Sequence, residues 1–188
     1  DDYHHMLAGR IWWAMRYFGF DNVRILNGGW PAWQAKGFPV STAEPTVAAG
    51  TFEPEIKEHL LISLDAFLQQ KDQALVWDAR GSEGYRGRPD DDRTGHIPGV
   101  MNLPFRSVLD EETGFFKDDG ALARLFDDDS PGWRQRRIIS SCGSGYAGTV
   151  LLVALKQLGV DASLFDGSFA IWKQDPKRPI EQGDGAKP

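Results

Sequence analysis

The sequence predicts an α/β fold with a mainly parallel sheet flanked by helices. Two short apolar runs, "ALVWDAR" and "RRIISSC", have the nearly continuous hydrophobicity of strands that are covered on both faces. Apolar residues at helical spacing occur between and after them, in "DGALARLF" and "VLLVALKQLG". Alternating strands and helices favour parallel pairing, because each parallel connection needs a crossover segment.

The other elements follow from local patterns. Residues 60–69 predict a short helix, residues 95–105 a turn and a short strand, and "SLFDG" a further strand. Residues 43–56 are rich in Pro, Ala and Thr, which indicates a linker. No apolar run approaches the ~18 residues that a membrane span needs.

Composition narrows the classes of partner. The net charge is −6 and no basic block is present, so we do not expect a nucleic-acid partner. One cysteine cannot form an internal disulfide, and the 4 histidines show no metal-ligand spacing. We therefore expect no metal, no cofactor, no membrane contact and a cytoplasmic location.

An internal repeat divides the chain. Residues 10–22 match residues 150–162 at an offset of 140, and both segments read as helices that end at a glycine, Gly19 and Gly159. In each copy a short strand and a turn are expected next. A period this long indicates duplicated domains rather than a solenoid.

The first copy contains only the end of a domain. We predict that residues 1–42 are the remnant of a catalytically silent N-terminal domain, residues 43–56 a linker and residues 57–188 a catalytic C-terminal domain. The missing N-terminal half of the same protein is then an expected partner. Without it, the aromatic side chains of the first copy are expected to be exposed; these are Trp12, Trp13, Phe18 and Trp30.

The single cysteine, Cys142, ends the second apolar run and precedes a Gly-Ser-Gly turn and a helix. Gly143 and Gly145 permit backbone conformations that direct successive N–H groups at one point, the sulfur. The positive helix N-terminus adds to this effect, and both favour the nucleophilic thiolate. The alternative is that Cys142 is a small buried hydrophobe that merely ends a strand.

Two comparisons within the sequence bear on this loop. A cysteine phosphatase needs an arginine six residues after the cysteine to bind phosphate with both prongs of its guanidinium. That position is Gly148, which argues against a phosphatase. The repeat offset of 140 places Asp2 opposite Cys142, and a carboxylate cannot act as a sulfur nucleophile. The first copy is therefore expected to be silent.

Several motifs occur in a definite order: "VWDARGSEGYRG", "GHIPGVMNLPF", "SSCGSGYAG" and "LFDGSFAIW", preceded in the first copy by "GRIWWAMRYFG" and "LNGGWPAW". Together they resemble the C-terminal part of the tandem-domain rhodanese-like sulfurtransferases, and "CGSG" resembles the 3-mercaptopyruvate branch. The resemblance implies sulfur transfer from 3-mercaptopyruvate or thiosulfate through a persulfide on Cys142. The acceptor would be cyanide or a thiol, including a reduced protein thiol.

The resemblance also implies the site residues. Cys142 would be the nucleophile, and Ser144 would polarise the donor or move a proton, unless it is a simple loop hydroxyl. The donor is an anion, so arginines should line the cleft at the carboxyl ends of the strands. The expected substrate-binding residues are Arg86, Arg88, Gly143, Gly145, Tyr146 and Ala147.

The sequence departs from the family pattern at two places. Gly84 stands where the family usually has an arginine, and Tyr146 lies where the family usually has a valine–threonine pair. The identity of the sulfur donor therefore stays open. Arg93 is a further donor-binding candidate, while Arg80 is expected to be structural and His96 to be a turn residue. A non-catalytic rhodanese-fold binding or regulatory module is the alternative function.

Overall fold

The structure is a computed structural model that describes residues 1–185. One five-stranded sheet has the strand order β1-β5-β4-β2-β3, and every pairing is parallel. This confirms the predicted α/β class. The strands are β1 (Leu61–Ile62), β2 (Leu75–Asp78), β3 (Met101–Asn102), β4 (Ile138–Ser141) and β5 (Ser163–Phe165).

Helices flank the sheet. In residues 1–185 none is long and apolar enough to cross a membrane. Ser63 and Asp118 cap α3 and α5, since their side chains accept the amides of Ala66 and Ala121. The α-helices are α1 (Met6–Tyr17), α2 (Gly29–Ala35), α3 (Leu64–Gln70), α4 (Ser82–Arg86), α5 (Asp119–Asp129), α6 (Ala147–Gln157) and α7 (Ser168–Trp172).

The two central strands, β2 and β4, are buried along their whole length, as the apolar runs predict. Side chains alternate between the faces: Leu75 and Trp77 belong to one apolar core, Val76 to the other. The Trp77 Nε1 donates to the Asp129 carboxylate at 2.6 Å. Burial raises the pKa of Asp129, although this hydrogen bond opposes the shift.

The first copy packs onto the second through α1 and α6. Trp12 and Trp13 are only 7% and 5% exposed, so the expectation that they lie on the surface is wrong. They belong to the main core, and the Trp13 Nε1 donates to the Leu60 carbonyl at 3.1 Å. Phe18 and Trp30 are exposed as expected, at 44% and 40%.

Two local predictions need correction. The strand expected at residues 23–27 is absent, because no strand within residues 1–185 pairs with that segment. The helix expected at residues 60–69 is shorter, because its start pairs with β5 as strand β1. The helix itself begins only after the Ser63 cap.

Candidate active site

The site lies where β4 ends and α6 begins. Cys142 directly follows the strand, and its side chain is buried, with 1% of the residue exposed. The Gly145 amide donates to the Cys142 Sγ at 3.1 Å. Gly145 has a φ of +85°, a left-handed conformation that disfavours a side chain. The turn thus directs a backbone N–H at the sulfur.

Two amides from α7 fix the loop from the other side. The Phe169 amide donates to the Cys142 carbonyl at 3.0 Å, and the Ala170 amide donates to the Gly143 carbonyl at 2.9 Å. The loop is therefore tied to the turn after β5. These bonds satisfy both carbonyls, so the backbone of α7 fixes this part of the loop.

Ser168 is a contact of the cysteine that the sequence does not reveal. Its Oγ accepts the Cys142 amide at 3.1 Å and donates its own proton to the Phe165 carbonyl at 2.7 Å. The Ser168 Oγ lies 3.9 Å from the Sγ, but that hydroxyl has no second proton to donate there. Ser168 is fully buried with a φ of +50°, an uncommon conformation for a non-glycine residue.

The equivalent loop of the first copy holds a carboxylate. The Asp1 side chain accepts the amides of Tyr3 and His5 at 3.0 Å each, and the Ala8 amide at 2.7 Å. His5 has a φ of +64°, so this loop also contains a left-handed residue. In the first copy, too, a loop that leads into a helix directs backbone N–H groups at one side chain, here the Asp1 carboxylate.

The structure corrects which residue corresponds to Cys142. The Trp30 amide donates to the Asp1 carbonyl at 2.9 Å, which repeats the bond from Phe169 to Cys142. Asp1, not Asp2, is therefore the counterpart of the cysteine. The offset shifts by one residue within the loop, which sequence matching of the helices alone could not show. A carboxylate still occupies the position.

Gly148 sits where α6 crosses the sheet closely. A Cβ at Gly148 would lie 3.0 Å from the Leu164 Cδ1 and 3.1 Å from the Ser140 Oγ. The Ser140 hydroxyl also donates to the Gly148 carbonyl at 2.9 Å. No long side chain fits there, so the arginine of a cysteine phosphatase has no room at this position.

The remaining loop residues differ in their surroundings. Gly143 is not in the left-handed region, and a Cβ there would lie 3.7 Å from the Arg80 Cδ, an ordinary contact, so neither backbone conformation nor space requires glycine. Ser144 and Tyr146 are exposed, and Ala147, half-buried, begins α6. Within residues 1–185 the Ser144 hydroxyl makes no hydrogen bond.

A cavity of about 270 Å³ opens beside Gly143. Three cationic side chains and no acidic ones line it. The Cys142 side chain is not part of its wall, so the cavity adjoins the loop rather than the sulfur itself. The lining residues that matter here are Arg80, Gly84, Arg93, Gly143, Phe169 and Lys173.

Two of the three cations have partners. Arg80 donates to both carboxylate oxygens of Asp78 at 2.6–3.0 Å and to the carbonyls of Gly84 and Gly95, which agrees with the structural role expected for it. Arg93 donates to three backbone carbonyls near the end of the chain. Both guanidinium groups therefore mainly hold loops together.

Lys173 differs from these arginines. It follows α7, is exposed, and forms no ion pair or hydrogen bond through Nζ within residues 1–185. Its Nζ lies 5.9 Å from the centroid of the Phe169 ring in the cavity wall. A lone lysine after a short helix carries no signal for binding in the sequence, and its place beside the cavity emerges only from the fold.

Arg86 and Arg88 do not line the cavity. Arg86 pairs with Asp184, and Arg88 with Asp91 at 2.8 Å. Their side chains are 56% and 68% exposed, so both reach into solvent. The structure therefore separates these two predicted binding residues from the cavity beside Gly143.

His96 stabilises the turn before β3, which is the role expected for it. It is fully buried, its Nδ1 lies 3.0 Å from the Tyr85 carbonyl, and its ring stacks on Tyr85 at 3.8 Å. Burial raises the pKa of Tyr85 to about 12, so its hydroxyl stays protonated and donates to the Val100 carbonyl. Within residues 1–185, no cluster of three or more His, Cys, Asp or Glu could hold a metal ion.

Comparison with known proteins identifies the family. The model of the rhodanese-like domain matches residues 63–175, more than half of the chain. The chain belongs to this family. The matched range contains strands β2 to β5, the Cys142 loop and α7.

Relatives of this rhodanese-like chain carry sulfurtransferase names. "Putative thiosulfate sulfurtransferase SseB" of Mycobacterium tuberculosis is 36% identical, and the match covers 97% of this chain and 66% of that protein. The 3-mercaptopyruvate sulfurtransferase of Rattus norvegicus is 32% identical, with 95% and 62% covered. The crystal structure of SseA from Escherichia coli, described as a 3-mercaptopyruvate sulfotransferase, superposes with a TM-score of 0.76 at 30% identity, covering 88% and 63%. The chain thus spans just under two thirds of the length of these relatives.

Proposed function

We propose that this chain carries the catalytic cysteine of a sulfurtransferase. It would move a sulfur atom from 3-mercaptopyruvate or thiosulfate to cyanide or a thiol, including a reduced protein thiol, through a persulfide on Cys142. The observation behind the proposal is the Gly145 amide 3.1 Å from the Sγ, in a loop whose counterpart holds the Asp1 carboxylate. The names of the relatives support the same reaction class.

The reaction proceeds in two displacements. The Cys142 thiolate attacks the outer sulfur of thiosulfate; an S–S bond forms, the S–S bond of the donor breaks, and sulfite leaves with the electron pair. With 3-mercaptopyruvate the C–S bond breaks instead, and pyruvate leaves as its enolate and takes up a proton. Cyanide or a thiolate then attacks the outer sulfur, and the Cys142 thiolate returns.

The loop would stabilise the charge that appears in each step. Both the thiolate and the persulfide are anions, and the Gly145 N–H faces the buried Sγ that carries the charge or the added sulfur. Tyr146 and Ala147 lie at the start of α6, where the helix dipole adds positive potential. The exposed Ser144 hydroxyl is free to polarise the donor or to pass a proton.

The anionic end of the donor would bind in the cavity beside Gly143. Lys173 is its uncommitted cation, and Gly84 leaves that wall open, since no atom lies within 4 Å of a Cβ placed there. Arg86 and Arg88 stay in the proposal as outer residues that recruit the anion from solvent, because both are exposed cations.

The proposal includes the larger protein. Residues 1–42 would end an N-terminal rhodanese-like domain, 43–56 would be the linker and 57–188 the catalytic domain. The missing half would close one side of the cleft. The matching loops at Asp1 and Cys142 and the greater length of the relatives support this organisation. A cytoplasmic location completes the proposal, since a single free cysteine suits a reducing compartment.

Replacement of the nucleophile tests the proposal. In the full-length protein, Cys142→Ser should abolish sulfur transfer to cyanide from both donors while the thermal transition stays within a few degrees. Mass spectrometry of the wild type after donor treatment should show the addition of one sulfur atom on the peptide that contains Cys142, and the variant should show none. Sulfur transfer retained by the variant would refute the mechanism.

The alternative, a non-catalytic binding module, draws on one observation, the near-complete burial of Cys142. It predicts that neither donor loads a persulfide onto the wild-type protein. Loading by either donor excludes it, and the ratio of the two turnover rates then identifies the preferred donor despite Gly84 and Tyr146.

A further inference from the structure

Arg10 belongs to the first copy, yet its guanidinium reaches the Cys142 loop of the second. Its Nη2 donates to an Asp166 carboxylate oxygen at 3.1 Å, and its Nη1 donates to the other oxygen. The same Nη1 lies 3.4 Å from the Gly145 carbonyl, a marginal hydrogen bond. Trp13 supports the guanidinium from below, with the Cζ 4.7 Å from its ring centroid.

The Arg10–Asp166 ion pair lies against one residue of the loop, Gly145. A Cβ at Gly145 would lie 2.5 Å from the Asp166 Oδ1 and 3.1 Å from the Arg10 Nη1. Gly145 is the residue whose amide faces the Sγ, so the two charged groups lie against the residue that donates to the sulfur. The Arg10 side chain is only 28% exposed, which keeps the guanidinium in a restricted position.

We propose that Arg10 is a positioning residue for Cys142. It holds Gly145 in place through the contact with its carbonyl, so that the N–H on the other side of the Cα points at the sulfur. It also neutralises the Asp166 carboxylate beside a loop that must hold an anion. Without Arg10, Asp166 would place an unpaired negative charge next to that loop and disfavour the thiolate. The first copy would thus control the nucleophile of the second. The importance of Arg10 for turnover rests on the proposed function, whereas the effect of Arg10 on the Cys142 thiol does not.

Alkylation of the single cysteine measures this effect directly. With iodoacetamide on the full-length protein, Arg10→Ala should react about 10-fold more slowly at neutral pH, because the thiolate is the nucleophile and a misplaced Gly145 N–H stabilises it less. The pH at which the rate reaches half its plateau should move upward. Adding Asp166→Asn should return that pH towards the wild type, since the unpaired charge is then gone.

Arg16→Ala is the matched control. Arg16 also links α1 to the second copy, through Asp161 at 2.9 Å, but at the other end of the helix. Burial would raise the pKa of Asp161, yet hydrogen bonds from Lys156 and Arg16 give a net lowering, so this is a formed ion pair. Arg16→Ala should lower the melting temperature and leave both the alkylation rate and its pH profile unchanged.

Arg10→Lys serves as the conservative variant. It keeps the charge but loses the forked geometry, so its pH profile should stay near the wild type while its rate falls part of the way. Equal alkylation by Arg10→Ala and wild type would overturn the proposal, as would equal slowing by Arg10→Ala and Arg16→Ala. Because no sulfur donor is used, absence of sulfur transfer would count against the proposed function and not against the role of Arg10.

Discussion

At the residue scale, the cations around the cavity divide into those that hold backbone and one that does not. The N–H groups of Arg80 and Arg93 donate to Asp78 and to backbone carbonyl groups. Lys173 alone among them has no such partner within residues 1–185. An arriving anion would not have to displace an internal partner from Lys173, so Lys173 is the contact that we propose for the donor.

Lys173→Met keeps most of the side-chain volume and removes the charge. An exposed charge-assisted contact contributes about 1 kcal/mol, which corresponds to roughly a 5-fold higher KM for thiosulfate. The kcat should change less than about 2-fold, because Lys173 contacts the cavity and not the sulfur. Steady-state kinetics at low ionic strength give both constants, and added salt should shrink the difference.

Arg86→Met is the matched control for that measurement. It removes a cation of similar exposure that is paired with Asp184 and lies outside the cavity. Its KM should rise less than about 2-fold, as expected for an exposed pair. A larger increase for Arg86→Met than for Lys173→Met would return donor binding to the arginine that the sequence suggested.

The site residues that could be predicted from the sequence are those with a local sequence signal. Cys142 and the turn glycine Gly145 are recognisable from a strand, a glycine-rich turn and a helix in succession. Arg10, Ser168 and Lys173 were missed because their relation to the loop is spatial: each is more than 25 residues away or at the end of another helix. No periodicity encodes such a contact.

At the element scale, the packing of α6 on the sheet depends on the absence of a side chain at Gly148. Leu164 from β5 and Ser140 from β4 approach the missing Cβ to 3.0 Å and 3.1 Å. The helix therefore lies close to both strands. The same closeness fixes where α6 begins and hence where its positive end meets the Cys142 loop.

Gly148→Ala should lower the free energy of unfolding by about 1–3 kcal/mol, because a methyl group would overpack this contact. Gly120→Ala is the control in α5, where the added Cβ meets only flexible side-chain ends, Asp118 Oδ1 at 3.3 Å and Arg124 Nη1 at 3.5 Å. Gly120→Ala should raise the free energy of unfolding by up to about 1 kcal/mol, because alanine has a higher helix propensity than glycine. Urea unfolding measures the change in the free energy of unfolding for each variant. A change of the same sign in both variants would refute the close-packing argument.

The elements that could be predicted were those with long signals. The buried runs of β2 and β4 and the periodic helices α5 and α6 all formed as expected. The two-residue strand β1 was not foreseen, because its strand character comes from pairing with Leu164 and Phe165 of β5. Residues 23–27 show the converse, a strand-like sequence for which residues 1–185 offer no neighbouring strand.

At the scale of the whole molecule, the first copy is part of the same core as the second. α1 contributes Trp12 and Trp13 to the main apolar cluster, next to residues of α6. The repeat predicted the helix but not its packing, because amphipathicity does not say which neighbour a face will meet. This packing also gives Arg10 a rigid base from which to reach the Cys142 loop.

The same packing yields a test of how far the two copies depend on each other. Trp13→Ala should destabilise the protein by about 3–5 kcal/mol, since a large buried ring leaves a cavity. The loss also leaves the Leu60 carbonyl without its 3.1 Å donor. Phe18→Ala, at the C-cap of the same helix and 44% exposed, should cost less than about 1 kcal/mol.

Chemical denaturation of the full-length protein distinguishes the outcomes, with tryptophan-independent circular dichroism as the probe. A single shifted transition for Trp13→Ala would show that α1 and the rhodanese-like domain unfold together, because one buried contact then affects both. Equal small losses for Trp13→Ala and Phe18→Ala would mean that α1 adds little to the core. In that case Arg10 would lack its rigid base, and its hold on the Cys142 loop would weaken with it.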